Sequence, residues 1–488
     1  MTVSENQVRR HQHQFIDGQW RAARSDRYVC NVDSFTGEPI SEVVLGDVAD
    51  VNAAVAAARR AAASWAETSA ASRCDLLRRV SVRLNARAAE LAVEVTREVG
   101  MPLKLSNRIQ TQAPAAAWAT YASLGETFEF ESSEGSSTVR RVPVGVVACI
   151  TPWNYPLHQM TAKVAPALIA GCTVILKPSE IAPAAAQVLA ESLEAEGCPA
   201  GVFNMIFGTG STVGEALVLH EHVDMVSFTG STAVGTHVAR LAAGQMKRLS
   251  MELGGKSASV LLDGADLARA VRHAVSSCFL NSGQTCSALT RLVIPRAVLP
   301  EVDRLLCEEM EKLRMGDPMD SATRLGPLAT QLQRDRVNTH VDRALTAGAK
   351  MLYRAPTSAL PSTGYFVAPT ALHVEPDMSI AQEEVFGPVL SVITHEGVDD
   401  AVAIANGTRY GLAGAVWAQD KGTALQVARR LRAGQVDVNG AVYNTTAPFG
   451  GFGLSGVGRE NGRYGIDEFV ELQALQLPPA QGAGSKQS

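Results

Sequence analysis

The stretch NSGQTCSALTR, residues 281–291, sets one cysteine straight after Gly-Gln-Thr, at the end of a segment with an apolar face. Two readings compete for Cys286: a small core filler, since free cysteine is among the most buried residue types, or a thiol presented to a substrate as nucleophile. Four other kinds of stretch carry compatible chemistry. In MELGGKS (251–257), Glu252 stands between an apolar run and a Gly-Gly turn. A carboxylate so flanked is partly desolvated, which raises its pKa and makes it a candidate general base; the alternative is an ion-paired turn residue. In TPWNYP (151–156), Asn154 lies between aromatics and prolines just after an apolar run. Its amide is a candidate donor to a developing oxyanion, or else the cap of a turn. LKPSE (176–180) ends an apolar run with Lys177 and Glu180. A carboxylate near an adenosine ribose accepts from both hydroxyls and repels a 2′-phosphate, whereas the plain alternative is a solvated Lys and Glu in a loop. FGTGSTVG (207–214) and FTGSTAVG (228–235) also follow apolar runs. Their glycines let backbone N–H groups approach a phosphate at a helix N-terminus, although neither fits G-x-G-x-x-G and glycine turns of this sort are routine.

Groups scattered along a chain react together only if a scaffold gathers them. Residues 47–66 and 73–99 are rich in Ala, Leu and Arg, with Leu76, Leu77, Val80, Leu84, Leu91 and Val95 at helical spacing until Gly100 and Pro102. Both stretches are expected to be amphipathic helices. Residues 123–143 turn polar and β-leaning, which predicts an antiparallel excursion. From 144 onward the short apolar runs VGVVACI, CTVILK, GVFNMIF, VDMVSF, KRLSMEL and SASVLL alternate with helical stretches such as 183–196 and 231–243. That alternation predicts an α/β fold built on a mostly parallel sheet with helices on both faces. Residues 266–440 repeat it and predict a second α/β domain. FVELQALQL reads as a strand and the following PPAQGAGSKQS as a disordered tail.

The bulk composition removes several function classes. A chain of 488 residues implies two or three domains with a large core, and 46% hydrophobic with 19% charged residues is an ordinary globular balance. The net charge of −5, with no long basic run, advertises neither nucleic acid nor an anionic membrane as partner. The first thirty residues lack the apolar middle of a secretory signal, and no run of about eighteen apolar residues predicts a membrane span. Eight cysteines (30, 74, 149, 172, 198, 278, 286, 307) form no C-x-x-C pair. This argues against zinc and a disulfide framework, and for a reducing cytoplasm. Cys149 and Cys172 read as core, and Cys278 as packing the same helix that leads to Cys286. The HEH at 220–222 reads as solvated histidines rather than a metal pair.

PWNYP, LKPSE, FTGST, MELGGK, NSGQTC, EEVFGPV (383–389) and PFGGFGLSGVGRE (448–460) occur in this order at intervals that resemble the NAD(P)-dependent aldehyde dehydrogenase superfamily, across about residues 15 to 475. The resemblance implies that Cys286 attacks the aldehyde to give a thiohemiacetal, with the oxyanion held by the Asn154 amide and the Cys286 N–H. Hydride transfer to the nicotinamide then leaves a thioester, and Glu252 activates water to release the acid. Lys163 and Glu460 fall where relatives carry a proton-relay pair. Trp153, Lys177, Glu180, Gly214, Gly230 and Ser231 match the adenosine and pyrophosphate path, and Glu384 and Phe386 the nicotinamide ribose and ring. Lys177 with Glu180 suggests NAD over NADP, NADP remaining possible. Members that pass the thioester to coenzyme A generally lack the glutamate found here as Glu252, so the hydrolytic type is favoured.

The resemblance implies a Rossmann-like cofactor domain (1–124 and 144–254), a catalytic domain (255–455) and a small β oligomerisation arm with the tail (125–143 and 456–488). An exposed strand of the FVELQALQL type leads to the expectation of a homodimer or homotetramer. For the substrate, Tyr155 supplies an aromatic wall, while Gln159 and Ala162 stand where several relatives carry an apolar residue and a tryptophan. Loss of the larger ring widens the tunnel and weakens any aromatic grip on a quaternary ammonium, so a medium or bulky apolar aldehyde, aromatic or aliphatic, is expected rather than betaine aldehyde, the alternative being a semialdehyde or other specialised aldehyde. Tyr443 and Phe449 are expected at the outer mouth.

Overall fold

The computed structural model describes residues 8–478. Its first sheet has eight strands in the spatial order Gly456–Val457, Arg248–Glu252, Met225–Thr229, Val146–Ile150, Thr173–Lys177, Phe203–Met205, His13–Ile16 and Gln19–Ala22. The five from Arg248–Glu252 to Phe203–Met205 run parallel, and antiparallel strands close both edges. VVACI, TVILK and MVSFT are buried at every position, as parallel strands covered on both faces must be. Successive side chains sort into two layers. Val146, Ala148, Ile150 and Ile175 pack with the helix Val48–Glu67, whereas Val147, Cys149, Val174 and Leu176 pack with the helices Pro156–Ala170 and Ala184–Ala195.

The order in which the chain visits these strands creates the site. Among the parallel strands it starts at Val146–Ile150, moves outward through Thr173–Lys177 to Phe203–Met205, then returns to the other side for Met225–Thr229 and Arg248–Glu252. This reversal leaves a crevice beyond the carboxyl ends of Val146–Ile150 and Met225–Thr229, the place where open α/β sheets hold ligands. Trp153-Asn154 and Gly230-Ser231 follow those two strands.

Leu253–Ser257 carries the chain into a second sheet of seven strands, ordered Lys350–Arg354, Thr370–His373, Val389–His395, Arg291–Pro295, Ala258–Leu261, Ala413–Trp417 and Gln435–Val438. Only its Lys350–Arg354 edge is antiparallel. Val470–Gln476, Ser137–Pro143 and Glu131–Glu134 form an antiparallel arm. The α/β class, the second α/β unit and the β arm stand as expected.

Three local expectations differ. The run 73–99 is parted at Arg87 into the helices Ala70–Ala86 and Ala88–Val99; Arg87 has ψ near 3°, and the break lets each helix bury its own apolar face. Residues 123–127 continue the helix Ala113–Thr127 instead of opening the β excursion. Residues 456–467, grouped with the arm by sequence, return to the first sheet: Gly456–Val457 pairs with Arg248–Glu252, and the helix Gly462–Asp467 packs on Pro156–Ala170. Ile466, fully buried, drives that return. The tail reading lies outside the described residues from 479 on.

The two large units touch backbone to backbone. Gly100 ends the helix Ala88–Val99 with φ 88°, and a Cβ there would overlap the carbonyl of Pro327, while one on Gly326 would overlap that of Gly100. Gly100→Ala is therefore expected to destabilise the protein by roughly 1–3 kcal/mol, read as a lower thermal unfolding midpoint; an unchanged midpoint contradicts the contact.

Candidate active site

Cys286 sits on a loop whose path is set by three consecutive left-handed residues, Asn281 (φ 52°), Ser282 (φ 55°) and Gly283 (φ 78°). Asparagine tolerates this conformation and glycine pays nothing for it. Gly283 also packs against the Gly387 carbonyl, where a Cβ would overlap. The Ser282 hydroxyl donates to Gly326 O at 2.7 Å. Beyond the turn, Thr285 Oγ1 shares a 2.7 Å hydrogen bond with the Tyr155 hydroxyl, and Cys286, a half-buried residue, follows. Cys278 is the last residue of the helix Leu267–Cys278; it is buried on that helix, and Cys286 is off it. All eight cysteines are free thiols.

Trp153, Asn154, Gln159, Gly230, Ser231, Cys286, Glu384 and Phe386 line one cleft of about 270 Å³ at the crevice of the first sheet. Asn154 Nδ2 donates to Gln284 O at 3.0 Å, which turns the amide nitrogen toward the thiol loop and leaves its second N–H free. Trp153 and Phe386 meet edge to face at 5.8 Å. Phe386 is held at φ 56°, with its carbonyl accepting from Gln333 Nε2 at 2.8 Å.

Glu252 does not line this cleft. It ends its strand, is 3% exposed, and neither carboxylate oxygen has a hydrogen-bond partner. Burial, reinforced by the charge of Glu460, holds its pKa well above the usual carboxylate range, against the pull of Lys163 and Arg459. Behind it Lys163 Nζ meets Glu460 Oε1 at 2.5 Å. Glu460 is fixed in turn by reciprocal backbone bonds with Phe449. Breaking such a buried pair by removing one partner costs about 3–5 kcal/mol.

The electrostatics of Cys286 run against a low-pKa thiol. Burial first, then the charges of Glu252 and Glu384, push it up to about 12, opposed by the Ser287 N–H. The protein alone therefore holds the thiol protonated at neutral pH. Glu384 is pushed up to about 7 by burial, with Gly255 N–H and Lys256 opposing. Its Oε1 has one donor, Gly255 N at 3.3 Å. A half-buried carboxylate short of donors and facing a cleft suits a ligand rich in hydroxyls, as a ribose is. The Gly-Gly of MELGGKS is its seat: a Cβ on Gly254 would overlap the Glu384 carboxylate, and one on Gly255 would lie 2.7 Å from Cys286 O.

The remaining candidates occupy the flanks. Lys177 Nζ meets Glu180 Oε2 at 3.0 Å, and the Lys177 carbonyl accepts from Thr151 N at 3.1 Å, beside Trp153. Ser231 caps the helix Thr232–Ala243 through its hydroxyl. Gly214 ends the turn Gly210–Gly214, where a Cβ would meet nothing within 4 Å. Ala162 is buried in the helix Pro156–Ala170. The Tyr443 hydroxyl accepts from Asn461 Nδ2 at 2.7 Å, and its ring stands edge-on to Phe449 at 6.5 Å. Sequence reasoning missed Gln333, Arg336 and His340, which line the cleft from the helix Gln331–Thr346. Their i, i+3, i+7 spacing is a one-face polar stripe, the signal that was available.

Residues 20–475 match the aldehyde dehydrogenase family, and the chain belongs to that family as an NAD(P)-dependent oxidoreductase. It is 43% identical over 466 residues to a 3-succinoylsemialdehyde-pyridine dehydrogenase of a Pseudomonas species, across 94% of this chain and 97% of that one. The solved structure of aldehyde dehydrogenase C from Pseudomonas syringae, a cysteine-to-alanine variant in complex with NAD+ and octanal, superposes with a TM-score of 0.94 at 42% identity, covering 96% of this chain and 98% of that one. A Mycobacterium tuberculosis aldehyde dehydrogenase complexed with NAD+ gives 0.93 at 35% identity, covering 97% and 99%.

The raised thiol pKa has a direct readout. Alkylation of Cys286 by iodoacetamide in the cofactor-free protein, assigned by comparison with Cys286→Ala, should accelerate about tenfold per pH unit through roughly pH 9 without levelling; a plateau near neutrality contradicts this electrostatic picture.

Proposed function

We propose that the chain oxidises a medium or bulky apolar aldehyde, aromatic or aliphatic, to the carboxylic acid with NAD. The observation that carries this is a single cleft lined by the Cys286 thiol and the Asn154 amide, with the Glu252 carboxylate directly behind it. After the Cys286 thiol releases its proton to solvent, the thiolate sulfur bonds to the aldehyde carbon as the C=O π bond opens, and the free N–H of Asn154 together with the Cys286 N–H donates to the oxygen that becomes negative. Bound NAD supplies the hydride acceptor. Trp153, Gly214, Gly230, Ser231 and the Lys177–Glu180 pair hold its adenosine and pyrophosphate, and Glu384 and Phe386 its nicotinamide end. Cys286 then carries the acyl group as a thioester, which suits sulfur because a thiolate leaves readily. Glu252, once ionised, takes a proton from water for hydrolysis, with Lys163 and Glu460 passing that proton on. The Glu180 carboxylate disfavours a 2′-phosphate, and the relatives solved with NAD+ support the same preference.

Ala162 in place of a large ring supports a wide tunnel between Tyr155, Gln159 and the Tyr443–Phe449 pair. The octanal bound by the P. syringae relative supports an aliphatic substrate. A second reading, a semialdehyde attached to an aromatic ring, is favoured by the name of the 43% identical relative. The open edge of Val470–Gln476, with Leu472 and Leu475 exposed, supports a homodimer or homotetramer. Free thiols throughout support a reducing cytoplasm, and no described helix is long and apolar enough to cross a membrane.

NADH formation should be faster with octanal or benzaldehyde than with betaine aldehyde or succinic semialdehyde, and faster with NAD than NADP. A clear preference for either of the last two aldehydes overturns the substrate assignment. Cys286→Ala should lower kcat by about a thousandfold or more, whereas Glu252→Gln should keep a single burst of NADH and lose the turnover that follows. Because the ionised form of Cys286 grows with pH, kcat/KM should rise from neutrality into the alkaline range, and ionisation of Glu252 should raise kcat in the same direction; profiles falling over that range count against these roles.

A further inference from the structure

Asn154 lies between a strand and a helix, in a bend where regular backbone pairing has stopped. Among the described residues no backbone N–H reaches its carbonyl. Two side-chain amides take that place: Gln110 Nε2 donates to Asn154 O at 2.8 Å, and Asn281 Nδ2 donates to the same oxygen at 3.1 Å. Asn281 belongs to the thiol loop, and so does Gln284, whose carbonyl holds the Asn154 side chain. Gln110 comes from elsewhere. It sits in Ser106–Gln112, a π-helical segment of the kind that inserts an extra residue into a turn and recurs at functional sites.

Gln110 is fully buried, and its Oε1 has no partner. An orphaned amide oxygen is costly, so a leucine or methionine would suit the position better if it served packing alone. We infer that Gln110 is a positioning residue that clamps the main chain of Asn154 from the π-helical side and so aims the oxyanion-donating amide at the oxygen of an aldehyde bound to Cys286. Gln110 and Asn281 grip one carbonyl from two elements, and the Asn154 amide has little freedom to swing. This rests on the proposed role of Asn154.

The test uses octanal oxidation with NAD and, as a cofactor-free readout of the same thiol and amide, cleavage of p-nitrophenyl acetate. Gln110→Ala should lower kcat about tenfold in both assays while KM for NAD stays within about twofold. Gln110→Glu keeps the shape, but only its protonated form can donate to Asn154 O. Its kcat relative to wild type should therefore recover as pH falls, a dependence that a packing role would not produce. If the alanine variant does not fold, the glutamate variant carries the test. A folded Gln110→Ala with wild-type kcat, or a Gln110→Glu whose kcat relative to wild type stays depressed as pH falls, overturns the clamp. A wild-type protein that oxidises no aldehyde but cleaves the ester condemns the proposed reaction, and the ester assay then decides the clamp separately.

Discussion

Charge that water cannot reach governs this molecule's site. Glu252, Glu384 and Glu460 converge near the Cys286 thiol, with Lys163 and Lys256 as nearby cations. In a medium of low polarity such like charges cannot all be expressed together. Pairing Glu460 with Lys163 settles one of them, while the pKa of Glu252 is driven well above the usual carboxylate range and that of the thiol up to about 12. The pocket so described is quiet at rest, and its reactivity depends on what enters it.

The same crowding accounts for glycines that no turn requires. Gly254 and Gly255 lie in ordinary backbone regions, yet side chains there would strike the Glu384 carboxylate and the Cys286 carbonyl. A Cβ on Gly450 would come within 2.6 Å of Glu252 Oε1. Gly254 and Gly450 bring backbone up to the Glu384 and Glu252 carboxylates, and Gly255 brings it up to the carbonyl of the nucleophile. The site is thus assembled from both α/β units, and the backbone contact of Gly100 with Pro327 fixes their separation elsewhere.

Much of this was readable in the chain because the informative signals are local. Val146–Ile150, Thr173–Lys177 and Met225–Thr229 announce themselves as continuous apolar runs, and the residues after them are the cleft residues Trp153, Asn154, Gly230 and Ser231. The seat of Glu384 was readable only as a Gly-Gly pair, without its partner. Contacts made across long separations were not readable at all: Gln110 reaches Asn154 over 44 residues, and Gln333 supports Phe386 over 53. The pKa direction of Cys286 escaped for the same reason, since it sums burial and charges from three separate segments. The return of residues 456–467 to the first sheet was hidden because Gly456–Val457 is too short to show periodicity.

The Lys163–Glu460 pair links positions 297 residues apart. On the ribosome, then, the ammonium group of the first α/β unit is made long before its counterion. That unit cannot reach its final energy while the rest of the polypeptide is still being translated, because a lysine destined for a dry interior has no mate. The later stretch 456–460 both neutralises it and supplies one edge strand of the sheet. Assembly of the reactive centre is thereby tied to the arrival of residues 456–460, and a nascent fragment ending before residue 456 would display the thiol loop without its finished acidic surroundings.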